Sequence, residues 1–374
     1  MASARSSSFW PPNYILLLRM CPQTTKNRRK ASPRRFPCFL VAGFFVTFTP
    51  VLLAAEQASQ VPNIFDSQAG PADAIRRLSF FALTITGLIF VVVFSLLVYV
   101  ATKYRDRSPN DDGEPAQVYG SRQLELAWTV VPILIVLVLF FATFRVIQTI
   151  QGAEAPQNAI QITAIGHQYW WEFRYPGLGV VTANELHIPV SDKAHPAPSF
   201  IRLLSADTDH SFWVPQLAGK TDLIPNRINS MWIEPHATGM YLGQCSMFCG
   251  EQHANMLLRV YVDSPDEFEK WVAAQKQPAI AAEGAAAGRA VFERNSCVNC
   301  HTIAGTIADG RFGPDLTHLM SRATLGAGVL PNTPENLKAW VADPQKIKPG
   351  CLMPDMQLSQ KDLDGLVAYL ETLK

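Results

Sequence analysis

The sequence predicts a multidomain protein: a two-helix transmembrane hairpin, an exterior β-sandwich or barrel, and a compact all-α unit. Two long uncharged runs lie in the first part of the chain, and short β-type runs separated by Pro, Gly and Asn follow over residues 160–263. Helical patterns occupy residues 289–374. Hydrophobic residues make up 48% of the 374 residues and charged residues only 17%, which excludes a disordered chain.

Two of the uncharged runs are long enough to span a membrane. Leu78 to Val100 holds 23 residues, about 34 Å as a helix, and Leu126 to Phe144 holds 19. The polar loop between them, Lys103 to Glu125, is rich in basic residues, so the positive-inside rule places it in the cytoplasm. The hairpin is therefore assigned to residues 56–150, with spans at about 78–102 and 126–147, and the later residues lie outside the cytoplasm.

The N-terminal residues 1–55 are predicted to be an export signal. A basic segment, Lys26 to Arg35, precedes an uncharged run from Phe36 to Ala55 that ends in small residues. Cleavage or retention as a membrane anchor stays open, and neither changes the side on which the later residues lie. This segment holds eight of the 32 basic residues and none of the 31 acidic ones. The remainder, with 24 basic residues against 31, is acidic, which excludes nucleic-acid binding.

The exterior part is predicted to contain two domains joined by a tether. Residues 151–276 form the β domain and end in a helix that a Ser264 to Glu267 capping box starts and that runs to about Lys276. Residues 277–288 are a small-residue linker, and residues 289–374 form the all-α domain. A linker of this length holds the second domain near the first at an effective concentration on the order of millimolar.

One loop of the β domain collects ligands for a soft metal. Cys245, Cys249, His253 and Met256 lie within C-S-M-F-C-G-E-Q-H-A-N-M, and His210, predicted to end a neighbouring strand, offers a second imidazole. Thiolate, imidazole and thioether together favour copper, whereas zinc prefers Cys-x-x-Cys pairs and rarely recruits methionine. The alternative is an ordinary disulfide between the two cysteines. The other histidines are predicted to be structural: His167, His187, His195, His236 and His318.

This arrangement resembles the dinuclear copper (CuA) site of cytochrome c oxidase subunit II, whose exterior domain is cupredoxin-like. The resemblance covers about residues 70–275 and includes G-H-Q-Y-W-W-E-F (Gly166 to Phe173) and L-E-L-A-W-T-V-V-P (Leu124 to Pro132). It implies two copper ions. The implied ligands are the bridging thiolates of Cys245 and Cys249, the terminal imidazoles of His210 and His253, the weak axial thioether of Met256 and the carbonyl of Met247.

Two positions depart from the family pattern. Met247 stands where the family usually has a glutamate that helps to hold magnesium, and a thioether is a poor ligand for that hard cation, so no magnesium site is carried over. Tyr169 stands where the family has the tryptophan that receives electrons, and it is left unassigned. The family match also places Glu125 at the mouth of a proton-conducting path in subunit I.

The all-α domain carries a haem attachment motif. Cys297-Val298-Asn299-Cys300-His301 is C-x-x-C-H, in which two thioethers anchor a porphyrin and the histidine binds iron. A methionine is expected as the other axial ligand. Met353 in K-P-G-C-L-M-P is nominated because that segment resembles the distal loop of class I cytochromes c, with Met356 and Met320 as alternatives. A redox dithiol and a zinc half-site are the other interpretations of the motif, and Cys351 has no assigned role.

The resemblance implies subunit II of a bacterial respiratory cytochrome c oxidase with a fused cytochrome c domain. Electrons would pass from a small donor such as cytochrome c to one covalent haem c, then to copper, then to an oxygen-reducing, proton-pumping subunit I, with subunit III also a partner. The chain would span the inner membrane in contact with lipid, with both cofactor domains on the periplasmic side. The alternatives are the same module of a nitric oxide reductase and a free membrane-anchored electron carrier.

Overall fold

A computed structural model describes residues 62–105, 117, 119–151, 159–191, 197–279 and 285–374. The predicted export signal, His195, and parts of the cytoplasmic loop and of the linker lie outside the described residues. The described part contains two long helices, a β-sandwich domain and a helical domain, so the predicted fold class is confirmed. The helices are α1 (Gly70–Lys103), α2 (Arg122–Gln151), α3 (Pro265–Gln275), α4 (Ala286–Arg294), α5 (Pro334–Ala342), α6 (Pro344–Ile347) and α7 (Gln360–Leu370).

The two long helices, α1 and α2, are apolar enough to cross a membrane, and each is longer than its predicted span. The extra turns of α1 lie at its N-terminus, where Pro71, Ala72 and Ala74 are buried. Gly70 there donates its backbone N–H to the carbonyl of Glu234 at 3.2 Å. At the end of α2, the indole of Trp232 donates to the carbonyl of Ile150 at 3.0 Å. Both helices are thus attached to the β-sandwich domain by hydrogen bonds.

The β-sandwich domain contains two five-stranded sheets, ordered β3-β2-β1-β5-β8 and β4-β10-β9-β6-β7. Large side chains such as Trp171, Phe173 and Phe212 are fully buried between them. The strands are β1 (Ile160–His167), β2 (Trp170–Tyr175), β3 (Val180–Ala183), β4 (Glu185–Pro189), β5 (Ser199–Ser205), β6 (His210–Trp213), β7 (Thr221–Leu223), β8 (Asn229–Ile233), β9 (Gly239–Cys245) and β10 (Leu257–Asp263).

Residues 180–190, within the region of predicted β-type runs, divide between the two sheets. Asn184 separates β3 from β4 with a φ of 62°, a left-handed conformation that asparagine tolerates better than most residues. Its side-chain oxygen accepts the N–H of Trp171 at 2.9 Å, which holds the crossover in place. Residues 180–190 therefore contribute one strand to each layer of the sandwich.

The helical domain is organised by the crossing of α4 and α7. A Cβ at Gly288 would collide with the carbonyl oxygen of Gly365, so the two backbones touch where these glycines meet. Phe292 and Tyr369 pack edge to face beside the crossing, with ring centroids 6.2 Å apart. A short hairpin of β11 (Thr324–Leu325) and β12 (Leu330–Pro331) projects from this core. We call residues 323–331 the docking hairpin.

The capping box before α3 is confirmed. The Ser264 hydroxyl accepts the N–H of Glu267 at 3.3 Å, and the Glu267 carboxylate accepts the N–H of Ser264 at 3.1 Å. The helix ends at Gln275, one residue before the predicted end. The prediction that His210 ends a strand was wrong: His210 begins β6, because pairing of β6 with β7 starts at His210 opposite Leu223.

Candidate functional site

The soft-ligand side chains predicted from sequence converge at one end of the sandwich. Cys245 ends β9 and Cys249 follows in the ligand loop, residues 245–256, while His210 begins β6 beside them. Ligand atoms of these three buried residues lie within 4.8 Å of one another. The two sulfurs are 3.9 Å apart, far beyond the roughly 2.05 Å of a disulfide, so the cysteines are free thiols.

The other predicted ligands surround the two thiols. The Cys249 sulfur lies 3.7 Å from Nδ1 of His253 and 3.9 Å from the sulfur of Met256. The Cys245 sulfur lies 3.2 Å from the carbonyl oxygen of Met247. Two thiols, two imidazoles, a thioether and a carbonyl therefore meet around one small volume, and this donor set fits copper.

Sequence reasoning missed the residue that orients His210. Asp207 contacts Nε2 of His210 at 2.8 Å, which leaves Nδ1 facing the Cys245 sulfur at 3.9 Å. Carboxylates commonly fix the ring of a metal-binding histidine in this way. Gly166 makes room for the ring, since a Cβ there would lie 2.8 Å from it. The only indication of this contact in the sequence is that Asp207 lies three residues before His210, in the segment D-T-D-H.

Hydrogen bonds favour ionisation of one thiol in this cluster. The Cys249 thiol and then His210 lower the pKa of Cys245 far below that of an ordinary thiol, whereas the hydrogen bond with Cys245 raises the pKa of Cys249. Burial is the largest influence on His210 and would lower its pKa, but the contacts with Asp207 and Cys245 together outweigh burial, and the pKa is raised. The thiolate is the form in which a cysteine binds a soft metal ion.

The helical domain encloses a cavity of about 530 Å³, within the range of cofactor sites. Cys297, Cys300 and His301 line it, and so do Met353 and Met356. Met320, the third methionine considered, packs against the helical core instead. The cavity therefore brings the attachment motif together with two possible sulfur ligands, and its size and donors fit a haem.

The histidine of the attachment motif is held firmly. Nδ1 of His301 lies 2.8 Å from the carbonyl oxygen of Pro314, so this nitrogen carries the proton. Nε2 is therefore unprotonated, and its lone pair is available to a metal ion. Gly313 lies flat against the ring, because a Cβ there would be 2.6 Å from Cε1. Burial lowers the pKa of His301 and so favours the neutral imidazole, the form in which histidine binds a metal ion. Gly313 and Pro314 thus support the ring from one side.

Four residues of the β-sandwich domain complete the cavity wall: Asn184 and the three consecutive residues of the segment Gln168, Tyr169 and Trp170. The same segment reaches the ligand loop. Gln168 donates its side-chain amide to the carbonyl of Cys249 at 2.6 Å, and the Tyr169 hydroxyl accepts the N–H of Glu251 at 3.1 Å. Tyr169, left unassigned by sequence, thus lies between the cavity and the ligand loop.

The remaining described histidines have partners other than a metal. His167 stacks on Trp170 with ring centroids 4.2 Å apart, and His187 lies 2.7 Å from Asp263. His236 contacts Asp73 at 3.2 Å, and His318 contacts the carbonyl of Gln275 at 3.1 Å. These contacts agree with the structural roles predicted for them.

Glu125 lies in the first turn of α2, distant in sequence from both clusters. The hydroxyl of Thr129 donates to its backbone carbonyl at 2.8 Å, and its carboxylate lies beside Gly120. The side chain is exposed at this end of the helix. Its place at the cytoplasmic mouth of a proton path stays a prediction.

Three family models match the chain in order. The transmembrane domain of cytochrome c oxidase subunit II matches residues 58–146, its periplasmic domain matches residues 195–262, and cytochrome c matches residues 285–374. Cytochrome c oxidase subunit 2 of Alkalihalophilus pseudofirmus is 35% identical over 345 residues, which cover 90% of this chain and 96% of the relative. The chain belongs to the cytochrome c oxidase subunit II family.

Membership of this oxidoreductase family agrees with the similarity to a second relative. Cytochrome c oxidase subunit 2 of Bacillus subtilis is 30% identical, with 83% of this chain and 92% of the relative covered. The crystal structure of the periplasmic domain of subunit II from Bradyrhizobium japonicum is 30% identical and covers 33% of this chain and 97% of that one, with a TM-score of 0.31. This subunit II is membrane-anchored, with a periplasmic domain and a C-terminal cytochrome c domain.

Proposed function

We propose that this subunit II receives electrons through its own haem c and passes them by way of a dinuclear copper centre to an oxygen-reducing subunit I. The observation that carries the proposal is the segment from Gln168 to Trp170, which lines the helical-domain cavity and contacts the ligand loop. A redox group in the cavity and one in the ligand loop would then be separated by a single stretch of backbone.

The copper centre would be held by the side chains that converge at the end of the sandwich. Cys245 and Cys249 would bridge two ions, His210 and His253 would terminate them, and Met256 and the Met247 carbonyl would complete the set. Such a centre accepts and releases one electron at a time. The chain supports it by burying both thiols and by fixing His210 through Asp207. Magnesium is not proposed, because Met247 offers that cation no carboxylate.

The haem would be attached through Cys297 and Cys300 and bound on one face by Nε2 of His301. Met353 is proposed for the other face, because a thioether ligand raises the reduction potential of haem iron. The chain's contribution is to orient the imidazole through Pro314 and to exclude water with a largely enclosed wall. Covalent attachment of this kind agrees with a location outside the cytoplasm.

The partners follow from charge and from the membrane helices. Residues 151–284 hold 14 acidic and 8 basic side chains, which favours a basic donor such as a small cytochrome c mainly through the association rate. The apolar faces of α1 and α2 are exposed to lipid or to subunits I and III in the bacterial inner membrane. The two alternative functions are the same electron-entry module in a nitric oxide reductase and a free membrane-anchored electron carrier.

Glu125 is proposed to lie at the entrance of a proton path in subunit I. Replacement by alanine should leave assembly intact and slow proton uptake during turnover, because the path would lose a carboxylate at its cytoplasmic mouth. Proton uptake is measured in the purified complex with a pH indicator dye, with Glu371→Ala on the last turn of the chain as the control. Unchanged uptake in an assembled complex would remove Glu125 from the path.

The proposed function is tested on the complex purified from membranes. We expect two copper ions and one covalent haem per chain, a mixed-valence copper signal by electron paramagnetic resonance, and oxygen uptake with reduced cytochrome c. Cys245→Ser and Cys249→Ser should each abolish the copper signal and uptake while the haem remains attached. Consumption of nitric oxide without oxygen uptake would indicate the reductase, and a chain isolated without a subunit I would indicate the carrier.

A further inference from the structure

We propose that Glu185 and Lys348 are positioning residues that lock the helical domain onto the β-sandwich domain in one orientation. Each is a buried charged side chain, and each reaches across the boundary between the two domains to bond backbone groups of the other. The consequence for electron transfer rests on the proposed function, whereas the lock itself concerns only this chain's own residues.

Glu185, on β4, reaches from the β-sandwich domain into the docking hairpin. Only 4% of the residue is exposed. One carboxylate oxygen accepts the N–H and the hydroxyl of Thr324 at 2.9 and 3.0 Å, and the other accepts the N–H of Ala323 at 3.0 Å. A single carboxylate therefore satisfies three donors that the hairpin would otherwise bury unpaired.

Lys348 reaches in the opposite direction. It follows α6 in the helical domain, and 2% of it is exposed. Its ammonium donates to the carbonyl oxygens of Tyr169 and Asn255 in the β-sandwich domain, and to that of Gly326 in the docking hairpin, each at 2.8 Å. An ammonium has three protons, so all of its donors are used.

Between the two charges, the docking hairpin touches the β-sandwich domain closely. Leu257 donates its N–H to the carbonyl of Ala327 at 3.1 Å, and Ala327 packs with Trp170 and Ala183 in a small buried cluster. A Cβ at Gly328 would lie 2.9 Å from the Cβ of Leu257. The hairpin is therefore inserted against the start of β10, directly after the ligand loop.

The chemistry of these contacts favours one orientation. Apolar surfaces such as that of Ala327 tolerate small sliding movements, whereas a buried charge that loses its partners is strongly destabilising. Because Glu185 and Lys348 each bond backbone groups at fixed positions, any sliding of the hairpin would break several charge-assisted hydrogen bonds at once. The lysine also holds the Tyr169 carbonyl, so it fixes the residue that lies between the cavity and the ligand loop.

The lock differs from the tethered docking that the linker alone predicts. A domain on a flexible linker samples many orientations, and electron transfer would then depend on rare productive contacts. A domain held by Glu185 and Lys348 keeps the cavity and the ligand loop at one separation. Removal of either charge should therefore both loosen the hairpin and slow electron transfer between the two sites.

The test compares Lys348→Met and Glu185→Gln with Lys338→Met and Glu293→Gln in the assembled complex. The control side chains form exposed ion pairs with Asp364 and Arg289 inside the helical domain, so they carry the same charges without crossing the boundary. Hydrogen–deuterium exchange is followed at residues 323–328 and at α4 and α7. Reoxidation of the haem after rapid reduction is followed optically.

We expect the two lock variants to raise exchange in the docking hairpin and to slow haem reoxidation, each by more than about tenfold, while α4 and α7 stay protected. The controls should match the unmodified complex in both measurements. Hairpin exchange at control levels in the lock variants would overturn the proposal. Failure of the proposed function would appear separately, as missing copper or haem in the unmodified chain.

Thr324→Val provides a milder variant in case Lys348→Met or Glu185→Gln fails to fold. It removes only the hydroxyl bond to Glu185 and keeps the side-chain shape and the backbone N–H. Exchange at residues 323–328 should rise by about tenfold, the low end of the effect expected when one hydrogen bond to a charged group is lost. Exchange unchanged from the unmodified chain would overturn the lock even without the stronger variants.

Discussion

At the scale of single residues, the two nitrogens of the His301 ring have different roles. Nδ1 is fixed by the Pro314 carbonyl, which leaves Nε2 available for the proposed bond to haem iron. Gly313 permits this placement, since any side chain there would occupy the space of the ring. Asp207 has the corresponding role for His210 in the β-sandwich domain. In both sites, a residue outside the proposed ligand set orients the ring of a proposed ligand.

Gly313→Ala should displace the His301 imidazole. The added Cβ would lie 2.6 Å from Cε1 and 2.8 Å from Nδ1, so the ring must move away from Pro314. The haem should stay attached through Cys297 and Cys300, but its absorption spectrum should change and its reduction potential should fall. Gly177→Ala, where no atom lies within 4 Å of the new Cβ, is the control. An unchanged spectrum and potential in Gly313→Ala would contradict the assigned role of His301.

Met353 and Met356 both line the cavity and are the two candidates for the second axial ligand of the proposed haem. We predict that Met353→Ala lowers the reduction potential strongly, because the iron loses a thioether, and that Met356→Ala leaves it nearly unchanged. Redox titration of the full chain, followed by haem absorbance, measures both. A large decrease in the reduction potential in Met356→Ala alone would identify Met356 as the axial ligand instead.

At the scale of elements, the close contact of α4 with α7 determines the shape of the helical domain. Gly288 and Gly365 allow the two backbones to touch, and Phe292 and Tyr369 pack beside them. Buried residues of α5, Leu337 and Val341, belong to the same core. The docking hairpin extends from this core, so its position depends on the helix crossing.

The two glycines at the crossing should respond differently to alanine. Gly288→Ala would place a methyl group against the Gly365 carbonyl and 2.7 Å from the Cβ of Tyr369, and we expect a loss of about 1–3 kcal/mol in unfolding free energy. Gly365→Ala meets only the Gly288 Cα at 3.9 Å, so it should be neutral or stabilising by up to about 1 kcal/mol. Urea unfolding followed by haem absorbance tests both. Equal losses would contradict the described crossing.

Sequence reasoning succeeded where the signal is local. The spacing of Cys297, Cys300 and His301, the ligand loop and the Ser264 capping box each lie within a few residues, and the structure brings each together as predicted. The direction of His210 and its link to Asp207 depend on the pairing of β6 with β7, which no local pattern reveals. Glu185 and Lys348 look like ordinary surface charges in the sequence, because only the docked domains bury them.

At the scale of the whole molecule, three attachments make one rigid assembly of the described parts. Trp232 and Gly70 join the membrane helices to the β-sandwich domain, and the docking hairpin joins the helical domain to it. The cavity wall is shared between the last two. The linker is therefore not the only connection between the proposed haem and copper sites, and the distance between them is set by packing.

The central claim is that electrons leave the haem through the copper ligand loop. It is tested most directly by mixing the assembled Cys245→Ser complex with a reduced donor and following haem absorbance in a single turnover. The account predicts that the haem is reduced at the unmodified rate and reoxidised more slowly by on the order of 100-fold or more, because the copper ions have lost a bridging thiolate. Reoxidation at the unmodified rate would contradict the account.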